Sequence, residues 1–544
     1  MKRKSLIALT LPLILGIASC TEKSTSSSSQ TNTETEESST VVTTESSKDS
    51  TSSVGPNQLN LKFAIAGDEA ILLKVSGNVE EVEIPSTYEG KPVTRIGENA
   101  FEGMTKMRKL VLNEGVREIE KSAFSGCTNL DDITLPSSLR KIDNYAFVNI
   151  PYLETLTLPE GLIEIGSAVF SGCKGLKNIS IPNSIEKIGG NNFSTEKLVT
   201  TTYEGIDYLG NETNPYVLAF RLNEGNVSPT SIKLHENAKV LGGSLLESES
   251  SVTSITLNEG LVTIGGSSLR GTSIASITVP SSVKTISEYA FSGCKSLKEC
   301  TINGNGLKVI EHEAFSGAAA LIKLEIPSSV EEIGYYAFTE FDSASSFTYN
   351  VKDNGNYIGN ETDPYHAFIG MVDNKATAFT LDSSVKILAG QCFRDATNLA
   401  SITIPNSVTY IGDGAFFQAT SLTSVTVPSS VKIMEGATFD SCSSLTSIKL
   451  ENSPTILKSG FAQSCAALTS FTIPSSVKKL ETGLFDRDEK LEELYIPSTV
   501  VEIESGAIRS VPNTVLNIQV EKALPMYEKN WFSGVKEFHY GINK

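Results

Sequence analysis

A unit of 23 residues repeats along most of this chain of 544 residues, and the repeat limits what the chain can fold into. The proline that ends the first part of the unit recurs at this spacing, at Pro136, Pro159 and Pro182, at Pro405 and Pro428, and at Pro474 and Pro497. About sixteen such units lie between residue 93 and about residue 520. A repeat of this length predicts a solenoid, because one unit cannot bury its own apolar face whereas stacked units can.

Each unit contains two strand-like segments and a third segment with one large aromatic residue, which leads the chain into the next unit. In L-x-x-I-x-I-P, apolar residues alternate with Ser or Thr, which predicts a short strand with one buried face, and the proline ends it. The V-x-x-I-G segment is also apolar, and its glycine is expected to permit a tight bend. An A-F-x-x-C segment completes the unit, so Phe124, Phe147 and Phe170 should stack inside the coil. At a strand spacing of about 4.8 Å, the units predict a rod or shallow arc of roughly 75–80 Å.

The repeat resembles that of the BspA-like leucine-rich-repeat surface proteins of bacteria. Residues 84–93 (IPSTYEGKPV) look like the N-terminal cap of that family, and residues 516–542, with the lone Trp531, look like its C-terminal cap. The resemblance implies a mainly β architecture with an N-terminal cap at 57–92, a leucine-rich-repeat solenoid at 93–520 and a C-terminal cap at 521–544. It also implies a secreted or anchored protein that binds host matrix proteins and other cells.

The N-terminal residues are predicted to form a targeting signal followed by a tether. Residues 1–20 combine a basic start, an apolar run too short to span a bilayer comfortably, and the sequence IASC ending at Cys20. This resembles a bacterial lipoprotein signal in which Cys20 is lipidated; the alternative is an ordinary cleaved signal with a chance cysteine. Residues 21–56 are mostly Ser, Thr, Glu, Gln and Asn, which predicts a disordered tether. We therefore expect the folded part on the extracellular face of the cell envelope, held to the membrane only through the lipid.

Composition and motifs argue against several classes of function. The formal net charge is −18, and an acidic surface repels phosphate backbones, so nucleic acid is not an expected partner. The sequence contains no G-x-S-x-G, H-E-x-x-H, G-x-x-x-x-G-K-[ST] or Rossmann fingerprint, and its 4 histidines are scattered. The prediction is therefore that the protein is not an enzyme and has no catalytic residue, no metal-binding residue and no cofactor.

The cysteines are predicted to be structural. If Cys20 is lipidated, seven of the 8 remain, and an odd number cannot pair completely. They occupy small or apolar positions of the repeat, at Cys127, Cys173, Cys294, Cys300, Cys392, Cys442 and Cys465. We predict buried, unpaired thiols that act as small apolar side chains. Only Cys442 and Cys465, which stack one repeat apart, are candidates for a disulfide, although parallel side chains make poor disulfide geometry.

Two units are interrupted, by inserts at about residues 196–230 and 341–376. The inserts match at an offset of 149 residues, with YLGNETNPY at residues 208–216 and YIGNETDPY at residues 357–365. Gly, Asn and Pro predict a turn between two strand-like arms, and hence a protruding hairpin. Exposed Tyr with Asn and Glu suits protein or sugar recognition. The predicted ligand-binding residues are Tyr208, Asn211, Glu212 and Tyr216 in the first insert and Tyr357, Asn360, Glu361 and Tyr365 in the second.

Two other interpretations of the inserts remain open. Their aromatic side chains could simply pack onto the flank of the solenoid. Their clustered oxygens could hold calcium, although a complete ligand loop is lacking.

The outward strand positions form a regular face of hydroxyl groups. They are Ser254, Thr256, Ser276, Thr278, Ser401, Thr403, Ser424, Thr426, Ser470 and Thr472. Thr favours strands and suits a solvent-exposed face, but such an array would also support weak multivalent contacts. The expected function is therefore adhesion to protein or glycan ligands on host or bacterial surfaces. The alternative is a spacer or self-associating coat protein without an external ligand, and an enzyme is a remote third possibility.

Overall fold

The computed structural model describes residues 42–44, 58–193, 197–223, 225, 229–338, 347–519 and 532–542. The predicted signal peptide, most of the predicted tether and Trp531 lie outside these residues. All regular elements in this part are strands, and it contains no helix long and apolar enough to cross a membrane. The strands wind into a β-solenoid of about 19 turns, somewhat more than the number of units predicted, and the predicted fold class is confirmed.

Two parallel ladders run along the solenoid, one from each strand-like segment of the repeat. The strands before the prolines form the proline-side ladder: β4 (Glu81–Ile84), β7 (Lys109–Leu112), β9 (Asp132–Thr134), β11 (Thr155–Thr157), β13 (Asn178–Ser180), β18 (Ser231–Lys233), β20 (Ser254–Thr256), β22 (Ser276–Val279), β24 (Glu299–Ile302), β30 (Ala378–Thr380), β32 (Ser401–Thr403), β34 (Ser424–Val427), β36 (Ser447–Leu450), β38 (Ser470–Thr472), β40 (Glu493–Ile496), β43 (Val515–Ile518) and β45 (Glu537–Tyr540). Strands of this ladder therefore lie inside both predicted cap segments.

The V-x-x-I-G segments form the glycine-side ladder. Its strands are β6 (Lys91–Ile96), β8 (Glu118–Ile119), β10 (Lys141–Ile142), β12 (Glu164–Ile165), β14 (Lys187–Ile188), β19 (Val240–Leu241), β21 (Thr263–Ile264), β23 (Thr285–Ile286), β25 (Val309–Ile310), β26 (Glu332–Ile333), β31 (Ile387–Leu388), β33 (Tyr410–Ile411), β35 (Ile433–Met434), β37 (Ile456–Leu457), β39 (Lys479–Leu480) and β41 (Glu502–Ile503). Successive turns pair in register, as Lys141 does with Glu118 and Glu164.

Alternation along the proline-side strands separates core from surface. In β22, Ser276 and Thr278 are exposed, while Ile277 and Val279 are buried. Since successive side chains of a strand point to opposite faces, this pattern directs Ile277 and Val279 into the coil. The Ser and Thr residues predicted to form an outward face are exposed in all five strands that carry them.

The glycine of the V-x-x-I-G segment has a different role from the one predicted. At Gly97, Gly166 and Gly334 φ is not in the left-handed region, but a Cβ would lie 2.8, 2.5 and 2.4 Å from backbone atoms of the preceding turn. The left-handed residue comes two positions later, at Ala168 with a φ of 55° and at Tyr336 with a φ of 52°. Glycine is therefore needed because the turns approach closely, and other residues make the bend.

Phenylalanines of successive turns stack inside the coil, as predicted. The ring centroids of Phe124 and Phe147 lie 4.9 Å apart, and those of Phe147 and Phe170 lie 6.0 Å apart, with nearly parallel planes. All three side chains are buried. Burying one such ring stabilises the fold by about 1.5–3 kcal/mol, so this column contributes strongly to cohesion between turns.

Antiparallel strands interrupt the ladders at the N-terminal end and at both inserts. The strands outside the two ladders are β1 (Val42–Thr44), β2 (Leu59–Ala66), β3 (Glu69–Ser76), β5 (Thr87–Tyr88), β15 (Thr201–Tyr203), β16 (Ile206–Leu209), β17 (Leu218–Leu222), β27 (Asn350–Lys352), β28 (Gly355–Ile358), β29 (Ala367–Met371), β42 (Ile508–Arg509) and β44 (Phe532–Ser533). Strands β2 and β3 form a hairpin, β3 also pairs with β6, and β1 lies parallel to β2.

Each insert folds as a three-stranded antiparallel unit that belongs to the solenoid wall. The third strand of the first insert, β17, pairs in parallel with β19, and the third strand of the second, β29, pairs in parallel with β31. The prediction of a protruding hairpin is therefore wrong. Turn residues locate the bend between two arms, but they do not show that a third strand follows and joins the neighbouring ladder.

The solenoid curves back on itself, so turns that are distant in sequence meet through their glycine-side faces. Arg95 donates a hydrogen bond to Glu502 at 2.8 Å across 407 residues. Lys284 donates to Glu186 at 2.6 Å across 98 residues. A straight rod or shallow arc would separate these pairs, so that prediction is wrong. The curvature follows from small rotations between turns, and the repeat length does not encode them.

Candidate binding groove

An asparagine fixes the tip of the first insert to the strand before it. Asn211 Nδ2 donates to the carbonyl of Ile181, just after β13, at 2.8 Å. Asn211 Oδ1 accepts from the backbone N–H groups of Thr213 and Asn214, both at 2.9 Å, which closes the turn. The backbone N–H of Ile181 in turn donates to Gly210 at 2.9 Å. The tip is therefore held by side-chain and backbone bonds together.

The second insert repeats this arrangement. Asn360 Nδ2 donates to the carbonyl of Ile326 at 3.2 Å and to Ser328 Oγ at 3.0 Å. Asn360 Oδ1 accepts from the backbone N–H groups of Thr362 at 2.9 Å and Asp363 at 3.0 Å. Because the amide groups of Asn211 and Asn360 make these internal bonds, the two residues position the insert tips; contact between them and a ligand remains a prediction.

Tyr208 and Tyr357, two of the predicted ligand contacts, are core residues. Both side chains are 0% exposed, so the prediction that they are exposed is wrong. Antiparallel pairing turns them inward, where the Tyr208 hydroxyl accepts a bond from the His235 backbone at 3.1 Å and the Tyr357 hydroxyl accepts one from the Asp382 backbone at 3.3 Å. Burial raises the pKa of both phenols. For these two rings, packing into the solenoid is confirmed as the alternative interpretation.

The other predicted contacts remain at least partly accessible. Tyr216 is half-buried and stacks on His235 with ring centroids 3.6 Å apart. Tyr365 is also half-buried, and the Nζ of Lys352 lies 4.9 Å from its ring centroid. Glu212 and Glu361 are exposed. A ligand could reach these four side chains, and Asn211 and Asn360 are also partly exposed.

A groove of about 700 Å³ forms where the first insert meets the proline-side ladder. Its floor is the outward face of β11 and β13, and it carries Thr155, Thr157 and Asn178. Its wall is the insert, with Val199 and Glu212. Val199 is 68% exposed, and its backbone N–H donates to Lys177 at 2.8 Å, which fixes the wall against the floor. The outward strand positions and the insert are each visible in the sequence, but no residue pattern shows that they are adjacent.

The second insert meets the ladder in the same way but with charged neighbours. The backbone N–H of Thr348 donates to Ile322 at 2.8 Å, as Val199 does in the first insert. The adjoining segment exposes Ile322 together with Lys323 and Glu325, and the two charged side chains form an ion pair at 2.5 Å. The two junctions therefore share a backbone geometry and differ in the chemistry of their surfaces.

The seven cysteines in the described residues are buried and unpaired, as predicted. Cys442 Sγ donates to the carbonyl of Phe416, and Cys465 Sγ to that of Phe439, each at 3.1 Å. The stacked pair Cys442 and Cys465 is thus not a disulfide. Burial raises the pKa of the Cys442 thiol to about 12. Among the same described residues, no group of three or more His, Cys, Asp or Glu side chains could hold a metal ion.

A family model described as BspA type Leucine rich repeat region (6 copies) matches residues 75–213, 224–359, 365–492 and 454–540. The chain belongs to this family. The resemblance predicted from the repeat is therefore confirmed, and the family matches extend into both insert tips of this BspA-type protein. No curated protein matches the chain.

Solved structures of other leucine-rich-repeat proteins align along most of this BspA-type chain. One from Bacteroides ovatus is 20% identical, with 90% of this chain and 100% of that chain covered and a TM-score of 0.25. A leucine rich cell surface protein from Faecalibacterium prausnitzii is 19% identical, with 90% and 98% covered and a TM-score of 0.26. The pneumococcal vaccine antigen PcpA is 16% identical, with 90% and 98% covered and a TM-score of 0.25.

Proposed function

We propose that this chain is a lipid-anchored protein of the bacterial cell surface that binds proteins or glycans of host or neighbouring cells and acts by binding, without catalysis. Membership of the BspA-type family and the sequence ending at Cys20 support the location. The observation that carries the binding role is the groove between the first insert and the outward face of β11 and β13. Fold alone does not define function, so the chemistry of this groove has to account for binding.

The groove combines groups that suit peptide or sugar ligands. Thr155, Thr157 and Asn178 are exposed on its floor, and each offers hydrogen-bond donors and acceptors without a net charge. The exposed Val199 side chain adds an apolar contact, and Glu212 adds a charge at the rim. Each contact is weak, but many copies anchored on one surface bind together with high avidity.

Blocking the groove tests this proposal. The full-length chain is applied to immobilised matrix proteins, mucin and whole bacterial cells at two salt concentrations. Thr157→Lys combined with Asn178→Lys places two long charged side chains on the groove floor and should reduce saturable binding at least about tenfold. Thr426→Lys, at an exposed position of the same kind on β34, is the matched control and should bind as the unmodified chain does.

The result also separates adhesion from the spacer alternative. Binding lost in the groove variant and kept in the control supports adhesion through the groove. Equal loss in both variants points instead to the hydroxyl face as a whole. If no surface is bound and the chain self-associates, a coat or spacer role replaces adhesion.

A further inference from the structure

A second cavity lies on the inside of the curve, where the glycine-side faces of distant turns meet. Its volume is about 450 Å³, which falls in the range typical of small-molecule sites. Residues from three separate stretches line it, within 143–190, 266–335 and 410–435. The cavity exists because the solenoid folds back on itself, and it contains none of the groove residues.

Carboxyl groups dominate the lining of this inner cavity. They belong to Asp143, Glu164, Glu288, Glu311, Glu332, Asp413 and Glu435, and Lys187 is the one lysine among the lining residues. Several of these acids are paired: Glu311 binds Lys187, Glu288 lies 2.9 Å from His312, and Glu435 lies 2.5 Å from Lys458.

Two acids of the cavity are left without such a partner. The Glu332 and Asp413 side chains make no hydrogen bond or ion pair with any residue that the structure describes. Burial, together with the charge of Glu435, raises the pKa of both carboxyl groups. Unpaired carboxylates in a partly buried site are unfavourable on their own, and a bound cation would relieve this cost.

A buried phenol also faces the inner cavity without a partner. Tyr410 is only 5% exposed, yet it lines the cavity, and its hydroxyl makes no hydrogen bond to a described residue. Polar groups of native proteins are almost always hydrogen-bonded, and a ligand in the cavity can supply the partner of this hydroxyl. Beside it, Tyr335 stacks on His312 with ring centroids 4.8 Å apart. Aromatic faces next to carboxylates are the surroundings in which ammonium ions are recognised.

We propose that the inner cavity binds a small organic cation that carries an ammonium group. The ammonium group donates to Asp413, Glu332 and the Tyr410 hydroxyl, and the carbon skeleton lies against Tyr335. A cavity of about 450 Å³ is much larger than a bare ion needs, which favours an organic ligand. This site is independent of the groove, so it can exist whether or not the chain is an adhesin.

Calorimetric titration of the full-length chain with 1,4-diaminobutane tests the site, and 1,4-butanediol serves as the uncharged comparator of similar length. We expect one diamine bound per chain and no binding of the diol. Asp413→Asn and Tyr410→Phe should each weaken diamine binding about tenfold or more, because the first removes the negative charge opposite the ammonium group and the second removes a hydrogen-bond acceptor. Asp353→Asn, at an exposed position on the second insert, removes the same charge outside the cavity and should leave the affinity unchanged.

Each remaining outcome contradicts the proposal. Absence of diamine binding contradicts it directly. Weak binding of several diamine molecules per chain, unchanged by Asp413→Asn, would show only nonspecific attraction of the diamine to an acidic protein. Tyr410→Phe keeps the ring and therefore the packing, so it remains informative if Asp413→Asn does not fold. Equal diamine affinity in the unmodified chain and in Tyr410→Phe would mean that the Tyr410 hydroxyl does not contact the bound diamine.

Discussion

Arg95 and Glu502 join the first and last strands of the glycine-side ladder. Arg95 Nη2 lies 2.8 Å from Glu502 Oε2, and its Nη1 lies 2.9 Å from Glu120 Oε1. Lys479 Nζ lies 2.8 Å from the other oxygen of Glu502. The four side chains are 20–25% exposed, so solvent screens these charges less than it screens surface pairs. This cluster therefore closes the curve of the solenoid.

Removing the arginine should open this closure. We expect Arg95→Met to lower the unfolding free energy by about 1–3 kcal/mol, because the change leaves Glu120 without its cation and breaks the link between the two ends. Small-angle scattering should show a larger radius of gyration, and urea titration should show the lower stability. Lys91→Met breaks the exposed pair with Asp68 and is the control. Unchanged scattering in Arg95→Met would mean that other contacts hold the ends together.

Asp488 makes the stability depend on pH. It occupies the position that cysteine fills in other turns, is 0% exposed, and accepts a bond from the Cys465 backbone at 2.7 Å, while its Oδ2 has no partner among the described residues. Burial raises its pKa from 3.8 to about 8. The folded chain thus keeps a proton that the unfolded chain releases near pH 4. The contribution of Asp488 to the unfolding free energy is full below about pH 4 and is lost as the pH rises to about 8.

Asp488→Asn should remove this dependence. The amide keeps the acceptor for Cys465 and cannot ionise, so the variant should be more stable than the unmodified chain at pH 9, by an amount on the order of a few kcal/mol. The difference should shrink at pH 5. Urea titrations at both pH values measure it, with Asp353→Asn at an exposed position as the control. An equal difference at both pH values would show that Asp488 is ionised in the folded chain.

Tyr208 should behave as a core residue. Tyr208→Ala is expected to cost about 3–5 kcal/mol of stability, because it leaves a cavity in the core beside the first insert. Tyr208→Phe should cost about 1 kcal/mol, the value of the single bond to His235. Glu212→Gln, at the exposed tip of the same insert, should cost almost nothing. Thermal unfolding of the three variants gives the order, and a small effect of Tyr208→Ala would contradict the burial of the ring.

The thiols should be inert in the folded chain. In a Cys20→Ser variant, we expect the seven remaining cysteines to react with a thiol reagent only after denaturation, because all are buried and burial raises the pKa of Cys127 and Cys300 to about 12. The measurement is the number of thiols labelled at neutral pH before and after denaturant. Rapid labelling of the native variant would indicate local opening of the turns.

The sequence alone determined the features that depend on neighbours within the repeat. The solenoid, the alternation that exposes Ser276 and buries Ile277, the stacking of Phe124 on Phe147, and the free thiols all follow from the period of 23 residues. The period places equivalent residues one above another, and the alternation of apolar and polar residues decides which face of each strand is buried. These properties need no knowledge of how the turns rotate relative to each other.

Only the tertiary structure decided the features that depend on the path of the whole solenoid. The contact between Arg95 and Glu502 and the inner cavity beside Tyr410 arise from small rotations that accumulate over many turns, and no residue pattern records them. The sequence left open whether Tyr208 is exposed or packs onto the solenoid, because the insert motif does not show that its strands join the wall. Local spacing fixes which residues become neighbours along the coil, whereas curvature and strand pairing fix which distant residues meet and which side chains a ligand can reach.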